Sequence, residues 1–121
     1  MLLTDEKSIY LQISQMIEDN ILKDVFPEGE KIPSTNELAK VYTINPATAA
    51  KGINLLVERG ILFKKRGIGM FVSEGAKQQI ISTRKDGFYE QFIVALVREA
   101  KNLQITKDEL VQMIEKAQNN K

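Results

Sequence analysis

The first part of the chain alternates between short amphipathic runs and polar breaks. Over residues 8–24, isoleucine and methionine recur every three or four positions, which predicts a helix with one buried face. The sequence FPEG at 26–29 should stop this helix, because proline and glycine both interrupt helical structure. A short second helix ending near Tyr42 and a third helix ending at Gly60 are predicted to follow.

The second and third predicted helices both carry start signals. Ser34 precedes Glu37 by three residues, which is the spacing of a capping box. Asn45 followed by Pro46 predicts the next start, since asparagine caps helices and proline is favoured at the first helical position. Only about four residues separate the two helices, as in a helix-turn-helix motif.

Two short apolar runs, at 61–63 and 70–72, are typical of β-strands. The connection between them, KKRGIG at 64–69, combines three basic residues with two glycines and predicts a hairpin, which we call the wing. Three helices followed by a hairpin predict a winged helix-turn-helix domain over residues 1–75.

The pattern changes at residue 76. Large apolar side chains over 80–103 predict one long helix that is weakened at Asp86 and Gly87. Thr106 and Glu109 form a second capping box, which predicts a last helix. The predicted fold is therefore mainly α with a small β-hairpin, a winged helix-turn-helix domain plus two C-terminal dimerisation helices within residues 76–121.

The long helix carries more apolar surface than a two-helix tail can cover. Phe88, Phe92 and Leu96 recur every four residues and form one stripe, which other apolar residues widen. Soluble monomers rarely expose such a surface. Packing against a second copy would bury it and join two winged domains by two-fold symmetry; the alternative is a tail folded back on its own winged domain. The predicted homodimer interface includes Ile81, Phe88, Phe92 and Leu96.

Composition excludes several classes of site. The chain has neither cysteine nor histidine, which excludes disulfides, zinc fingers, thiol nucleophiles and imidazole bases. No paired carboxylates and no phosphate-binding loop are recognisable, so we predict no enzyme activity, no cofactor and no metal site. The opening residues carry no secretory signal and no apolar run is long enough to span a membrane, so we predict a cytoplasmic protein without membrane contact.

Charge is unevenly distributed along the chain. Residues 1–30 carry two basic and seven acidic side chains, whereas residues 31–75 carry seven basic and three acidic ones. A DNA-binding face needs a local rather than a total excess of positive charge. The basic excess therefore favours double-stranded DNA as a partner, although the net charge is only +1.

A DNA-binding role explains the small residues that begin the third helix. In helix-turn-helix proteins the second helix of the motif enters the major groove with its N-terminal residues at the base edges. Ala47 and Thr48 are small enough to enter and offer methyl groups to thymine. Lys51 follows one turn later, within reach of a guanine edge or a phosphate.

The start of the second helix and the wing are also suited to DNA. Exposed N–H groups at a helix start favour phosphate, and basic or glycine residues in a hairpin can approach the minor groove closely. Taken singly, the capping residues are explained by helix stability, and the lysines are explained as solvated surface residues. The order and spacing of these motifs along the chain favour DNA binding. The residues concerned are Ser34, Thr35, Asn36, Lys65, Arg66, Gly67 and Gly69.

Four segments resemble the winged-helix domain of GntR-type bacterial transcription regulators. They are SIYLQI, PEGEKIPSTNELA, INPATAAKGINLLVERGIL and KKRGIGMFV, which together fall within residues 8–73. The short helical tail resembles the YtrA-like branch of that family. The resemblance implies a homodimeric repressor of a palindromic operator, often of an ABC-type exporter operon. It implies DNA contacts at Tyr10, Ser34, Thr35, Asn36, Asn45, Pro46, Ala47, Thr48, Lys51, Lys65, Arg66, Gly67 and Gly69.

The chain departs from the family pattern at two positions. Many relatives have arginine where Asn36 and Ala50 stand, so their operator sequences cannot be transferred to this chain. Residues 76–121 are too few to enclose a ligand pocket of the usual size, so any small-molecule effector is expected at the dimer interface or at the 73–76 junction. The alternative function is a winged-helix adaptor for protein contacts, which the three basic wing residues disfavour.

Overall fold

The computed structural model describes residues 8–120 and shows helices with one β-hairpin. The helices are α1 (Ile9–Leu22), α2 (Thr35–Tyr42), α3 (Pro46–Glu58), α4 (Ala76–Phe88), α5 (Val94–Asn102) and α6 (Lys107–Asn119). Strands β1 (Leu62–Lys65) and β2 (Gly69–Val72) pair antiparallel. The predicted fold, mainly α with a small hairpin, is confirmed. None of the described helices is long and apolar enough to cross a membrane.

The core of the first unit is built mainly from α1, α3 and the base of the hairpin. Ile13, Ile17 and Ile21 are spaced four residues apart on α1, so they share one face, and they cluster with buried side chains of α3 such as Ile53. Burial of each such side chain stabilises the fold by about 1.5–3 kcal/mol. Leu62 pairs with Val72 at the base of the hairpin and both are buried, which anchors the wing to the helices.

Contacts divide the chain into two compact units, one ending at Thr83 and the other beginning at Arg84. The division therefore lies later than the 75/76 boundary that the sequence predicted. The reason is that Ala76 and Ile80, both on α4, are buried in the core of the first unit. The first turns of α4 therefore pack in the core of the first unit, together with the winged domain.

The ends of α1 and of the hairpin also differ from the sequence prediction. Helix α1 ends at Leu22 rather than Asp24, because Asp24 adopts a left-handed φ of 61° that a right-handed helix cannot contain. The strands extend further toward the turn than 61–63 and 70–72, since Lys65 pairs with Gly69. The connection is therefore only residues 66–68.

The second unit has almost no interior of its own. Ala100 is the one buried residue that the structure describes after Arg84. A π-helical segment, Tyr89–Ile93, separates α4 from α5, just after the weakness predicted at Asp86 and Gly87. The apolar side chains exposed in this unit are Phe88, Tyr89, Phe92, Ile93, Leu96, Val97, Leu103, Val111, Met113 and Ile114.

Candidate nucleic-acid interface

The N-terminus of α2 is fixed by the capping box that the sequence predicted. The Glu37 N–H donates to Ser34 Oγ at 3.1 Å, and the Ser34 N–H donates to Glu37 Oε1 at 2.9 Å. The backbone N–H of Ser34, followed by its side chain, lowers the pKa of the Glu37 carboxyl. Thr35 is half-buried and Asn36 exposed in the same turn. Ser34 thus serves as a cap, and its contact with phosphate stays a prediction.

The start of α3 is an exposed turn of small residues. Asn45 Oδ1 accepts a hydrogen bond from the Ala47 N–H at 2.8 Å, and Pro46 occupies the first helical turn, as predicted. Pro46 and Ala47 are exposed and Thr48 is half-buried. This turn therefore offers little steric bulk to an approaching ligand, which suits entry into a groove.

The structure brings the starts of α2 and α3 together. Asn36 and Pro46 line one open cleft of about 420 Å³, together with Lys40 and Ile44. Three residues connect the two helices, and Thr43 turns the chain with a left-handed φ of 53°. The two helix starts predicted to contact DNA are therefore on one surface.

Tyr10 joins this group through Lys51. Lys51 Nζ lies 4.1 Å from the centroid of the Tyr10 ring, within the range of a cation–π interaction. Both residues line a second cleft of about 440 Å³ along α3, together with Ala47. The N-terminal turn of α1 is thus placed beside the exposed face of α3.

Gly52 holds these two helices close, and the sequence analysis did not single it out. A Cβ at position 52 would lie 2.7 Å from the Tyr10 carbonyl oxygen and 3.1 Å from Ile13 Cβ. Only glycine allows this approach of α3 to α1. The available signal was a lone glycine inside a helical run, which often marks close packing.

The wing presents an aromatic face as well as a basic turn. Phe63 and Phe71 stack with their ring centroids 5.7 Å apart. Lys65 Nζ lies 4.4 Å from the Phe71 centroid and 5.9 Å from the Phe63 centroid. Phe63 and Lys65 are two residues apart on β1 and so share a face of the hairpin. Phe71 pairs with Phe63 across the hairpin and therefore lies on the same face. The aromatic partners of Lys65 were missed, although two phenylalanines in facing apolar runs were visible in the sequence.

The turn of the wing is formed by residues 66–68, and Arg66 is exposed there. Gly67 has φ of 78°, a conformation that favours glycine. Gly69 has φ of 146°, and a Cβ there would lie 2.6 Å from Lys31 Cε. The Lys31 side chain can move aside, so it is the positive φ that favours glycine at 69, whether or not DNA approaches it.

The residues predicted for the dimer interface fall in both units. Ile81 is half-buried and precedes the division at Thr83. Phe88, Phe92 and Leu96 lie in the second unit and are 53%, 52% and 41% exposed. The rings of Phe88 and Phe92 are 5.2 Å apart, so they form a continuous apolar surface.

Residues 9–72 match the family model of the bacterial regulatory proteins of the gntR family. The chain is 32% identical over 108 residues to the uncharacterised HTH-type transcriptional regulator YhcF of Bacillus subtilis, covering 89% of this chain and 88% of that protein. It is 36% identical over 83 residues to the HTH-type transcriptional repressor YtrA of Bacillus subtilis, covering 69% and 64%.

Solved structures give the same picture. A GntR family transcriptional regulator from Listeria monocytogenes has a TM-score of 0.74 and 26% identity, over 94% of this chain and 98% of that one. The DNA-binding domain of AraR, in complex with operator ORX1, has a TM-score of 0.54 and 27% identity, over 60% and 93%. These relatives are transcription regulators and not enzymes. The chain belongs to the GntR family of DNA-binding bacterial regulators, in its YtrA-like branch.

Proposed function

We propose that this chain is a repressor that acts as a homodimer on a palindromic operator. The observation that carries the proposal is the exposed first turn of α3, where Pro46 and Ala47 are capped by Asn45 and flanked by Lys51. In helix-turn-helix proteins this turn contacts base edges in the major groove. The membership of the chain in a family of DNA-binding regulators supports the same role.

The proposed interface assigns each element a part of the duplex. The start of α3 enters the major groove, the start of α2 contacts phosphates, and the wing approaches the minor groove. Tyr10 borders the major-groove contact through its position beside α3. The proposed contact residues are Ser34, Thr35, Asn36, Asn45, Pro46, Ala47, Thr48, Lys51, Lys65, Arg66, Gly67 and Gly69.

The homodimer is proposed from the second unit. Its described residues bury only Ala100 and expose an apolar stripe that includes Phe88, Phe92 and Leu96. A second copy would cover this stripe, and two-fold symmetry would match a palindromic site. The resemblance to the YtrA-like branch makes an ABC-type exporter operon the expected target, with the protein acting in the cytoplasm.

The proposal is tested by electrophoretic shift assays on genomic fragments that include the promoter of the protein's own gene. We expect one or a few fragments to be retained, with an affinity that falls steeply as salt rises because bound phosphates release counterions. A protein that retains no fragment, and instead captures partner proteins, would be the adaptor that the sequence left as the alternative.

The wing contact is tested by Arg66→Ala on a retained fragment. Each lost phosphate contact reduces the slope of log K against log salt by about 0.9, so a dimer should lose roughly 2. Binding to unrelated duplexes should weaken as much as binding to the operator. Lys23→Ala, at an exposed position after α1, serves as the control and should leave the slope unchanged. An unchanged slope for Arg66→Ala would show that the wing does not contact DNA.

A further inference from the structure

We infer that Tyr10 is a positioning residue for Lys51, whose ammonium it holds at the exposed face of α3 before DNA arrives. The inference rests on the proposed DNA-binding function and refines it. The family resemblance implies a direct contact between Tyr10 and DNA, whereas the geometry points to an action through the lysine. Tyr10 then contributes its ring, and its hydroxyl is dispensable.

The contact itself is short and well supported. Lys51 Nζ lies 4.1 Å from the ring centroid of Tyr10, well inside the roughly 6 Å range of a cation–π interaction. The ring is half-buried, whereas the lysine is exposed and lines the cleft that also contains Ala47. The ammonium is therefore held beside the residues proposed to enter the major groove.

The position of the ring is fixed by the core and not by a flexible loop. Tyr10 lies in the first turn of α1, three residues before the fully buried Ile13. Gly52 packs against the Tyr10 carbonyl oxygen and against Ile13, since a Cβ there would be within 3.1 Å of both residues. Lys51 precedes Gly52 in α3, so the close helix crossing that needs glycine also places the lysine over the ring.

This arrangement benefits binding because a lysine side chain is otherwise highly mobile. Ordering its four-carbon stem on contact with DNA costs conformational entropy. A ring that orders the stem in the free protein removes part of this cost in advance. The ammonium carries three N–H donors, so one side can face the ring while other donors bind a phosphate or a guanine edge.

The contact can be measured without DNA, by NMR of the full chain. The ε-methylene protons of Lys51 should be shifted upfield by the Tyr10 ring, and Lys51→Met identifies the resonance by its loss. We expect the shift to persist in Tyr10→Phe and to vanish in Tyr10→Leu. An ordinary chemical shift in the wild type, equal to that of the exposed Lys23, would overturn the inference.

The role in binding is measured by fluorescence anisotropy on two probes. One is a duplex that the wild-type protein selects from a random-sequence library, and the other is a mixed-sequence duplex of equal length. Tyr10→Phe should bind like the wild type, whereas Tyr10→Leu should bind the selected duplex about two- to fivefold more weakly per protomer, the size of an exposed cation–π interaction. In a Lys51→Met background, Tyr10→Leu should cause no further loss.

Three results would contradict the inference. Equal losses for Tyr10→Phe and Tyr10→Leu would show that the hydroxyl contacts DNA directly. An undiminished Tyr10→Leu loss in the Lys51→Met background would show that the ring acts independently of the lysine. Tighter binding by Tyr10→Leu would show that the ring withholds the lysine from DNA. Thermal melts confirm folding, and Tyr10→Met replaces Tyr10→Leu if the latter does not fold.

Failure of the proposed function gives a different result. A wild-type protein that binds neither duplex, or binds both equally, overturns sequence-specific DNA binding and with it the role assigned to the pair. The NMR measurement would still report the contact between Tyr10 and Lys51 in that case. A normal operator complex combined with an absent ring-current shift overturns only the inference on Tyr10.

Discussion

Gly52 shows, at the scale of single residues, how a missing side chain sets the geometry of the candidate interface. The space where its Cβ would lie is bounded by the Tyr10 carbonyl oxygen at 2.7 Å and by Ile13 Cβ at 3.1 Å. A backbone oxygen in a helix cannot move aside as the end of a flexible side chain can. The position of α3 on α1 therefore depends on glycine at this site.

Gly52→Ala should destabilise the winged domain. Forcing a methyl group into a packed site costs typically about 1–3 kcal/mol, which exceeds the gain of about 0.8–1 kcal/mol in helix propensity. Gly87→Ala is the matched control, because Gly87 also lies in a helix but has open space where its Cβ would stand. That variant should gain about 0.5–1 kcal/mol. Denaturant unfolding of the full chain measures both, and a stabilised Gly52→Ala would show that α1 and α3 adjust without cost.

Residue-scale features were predictable where they are local. The caps at Ser34, Asn45 and Thr106 follow from residues two or three positions away, so the sequence alone predicted them correctly. Tyr10 and Lys51 are 41 positions apart, and their contact depends on how two helices cross. No short-range pattern contains that information.

Among the elements, the start of α4 is tied to the loop that follows α1. Glu28 accepts hydrogen bonds from the Gly75 N–H at 2.9 Å and from the Lys77 N–H at 3.1 Å. Lys77 Nζ in turn lies 3.0 Å from a carboxylate oxygen of Asp24. The 73–76 junction, one of the two places expected for an effector, is therefore held by these bonds.

The contact of Glu28 with α4 should depend on pH. The N–H of Gly75, and then that of Lys77, lowers the pKa of the Glu28 carboxyl. A carboxyl whose pKa is lower in the folded state stabilises the fold above its unfolded pKa, near 4.3, and loses this effect as the pH falls through its folded value. The capping carboxyls of Glu37 and Glu109 are shifted in the same direction by the N–H groups of Ser34 and Thr106.

Glu28→Gln tests this dependence. The amide keeps one acceptor oxygen but has no charge, so the variant should be less stable than the wild type at pH 7, and the difference should shrink as the pH falls toward 3. Thermal unfolding over that pH range provides the measurement, with the exposed Glu30→Gln as the matched control. A difference that is the same at both pH values would mean that the charge of Glu28 does not stabilise the helix start.

The same element shows why the division between the two compact units differs from the boundary predicted at residue 76. The change in composition near residue 76 is a local signal, and it suggested that α4 belongs to the tail. The contacts that hold this element join residues far apart in sequence. Ala76 and Ile80 are buried in the winged core, and the Gly75 N–H donates to Glu28. The strands of the wing were also underestimated, because strand length depends on which residues pair across the hairpin.

At the scale of the whole molecule, the largest question of packing concerns the exposed apolar stripe of the second unit. Phe88 and Phe92 are more than half exposed, and their rings lie 5.2 Å apart. The sequence predicted this stripe from its four-residue spacing, and the structure confirms that its own chain leaves it uncovered within the second unit. A homodimer through this surface stays a proposal, and such a dimer would set the distance between the two DNA-binding heads.

Phe92→Glu should convert the homodimer into monomers, because a carboxylate at the centre of an apolar interface would be buried without a partner. The winged domain should remain folded, since its core is formed by other residues, including Ile17 and Leu56. The monomers should bind a palindromic site far more weakly, having lost the linkage between half-sites about 34 Å apart. Val25→Glu, which adds the same charge at an exposed apolar residue of the winged domain, should remain dimeric. Analytical ultracentrifugation at micromolar concentration decides the matter: a monomeric wild type, or a Phe92→Glu variant that stays dimeric, would place the interface elsewhere.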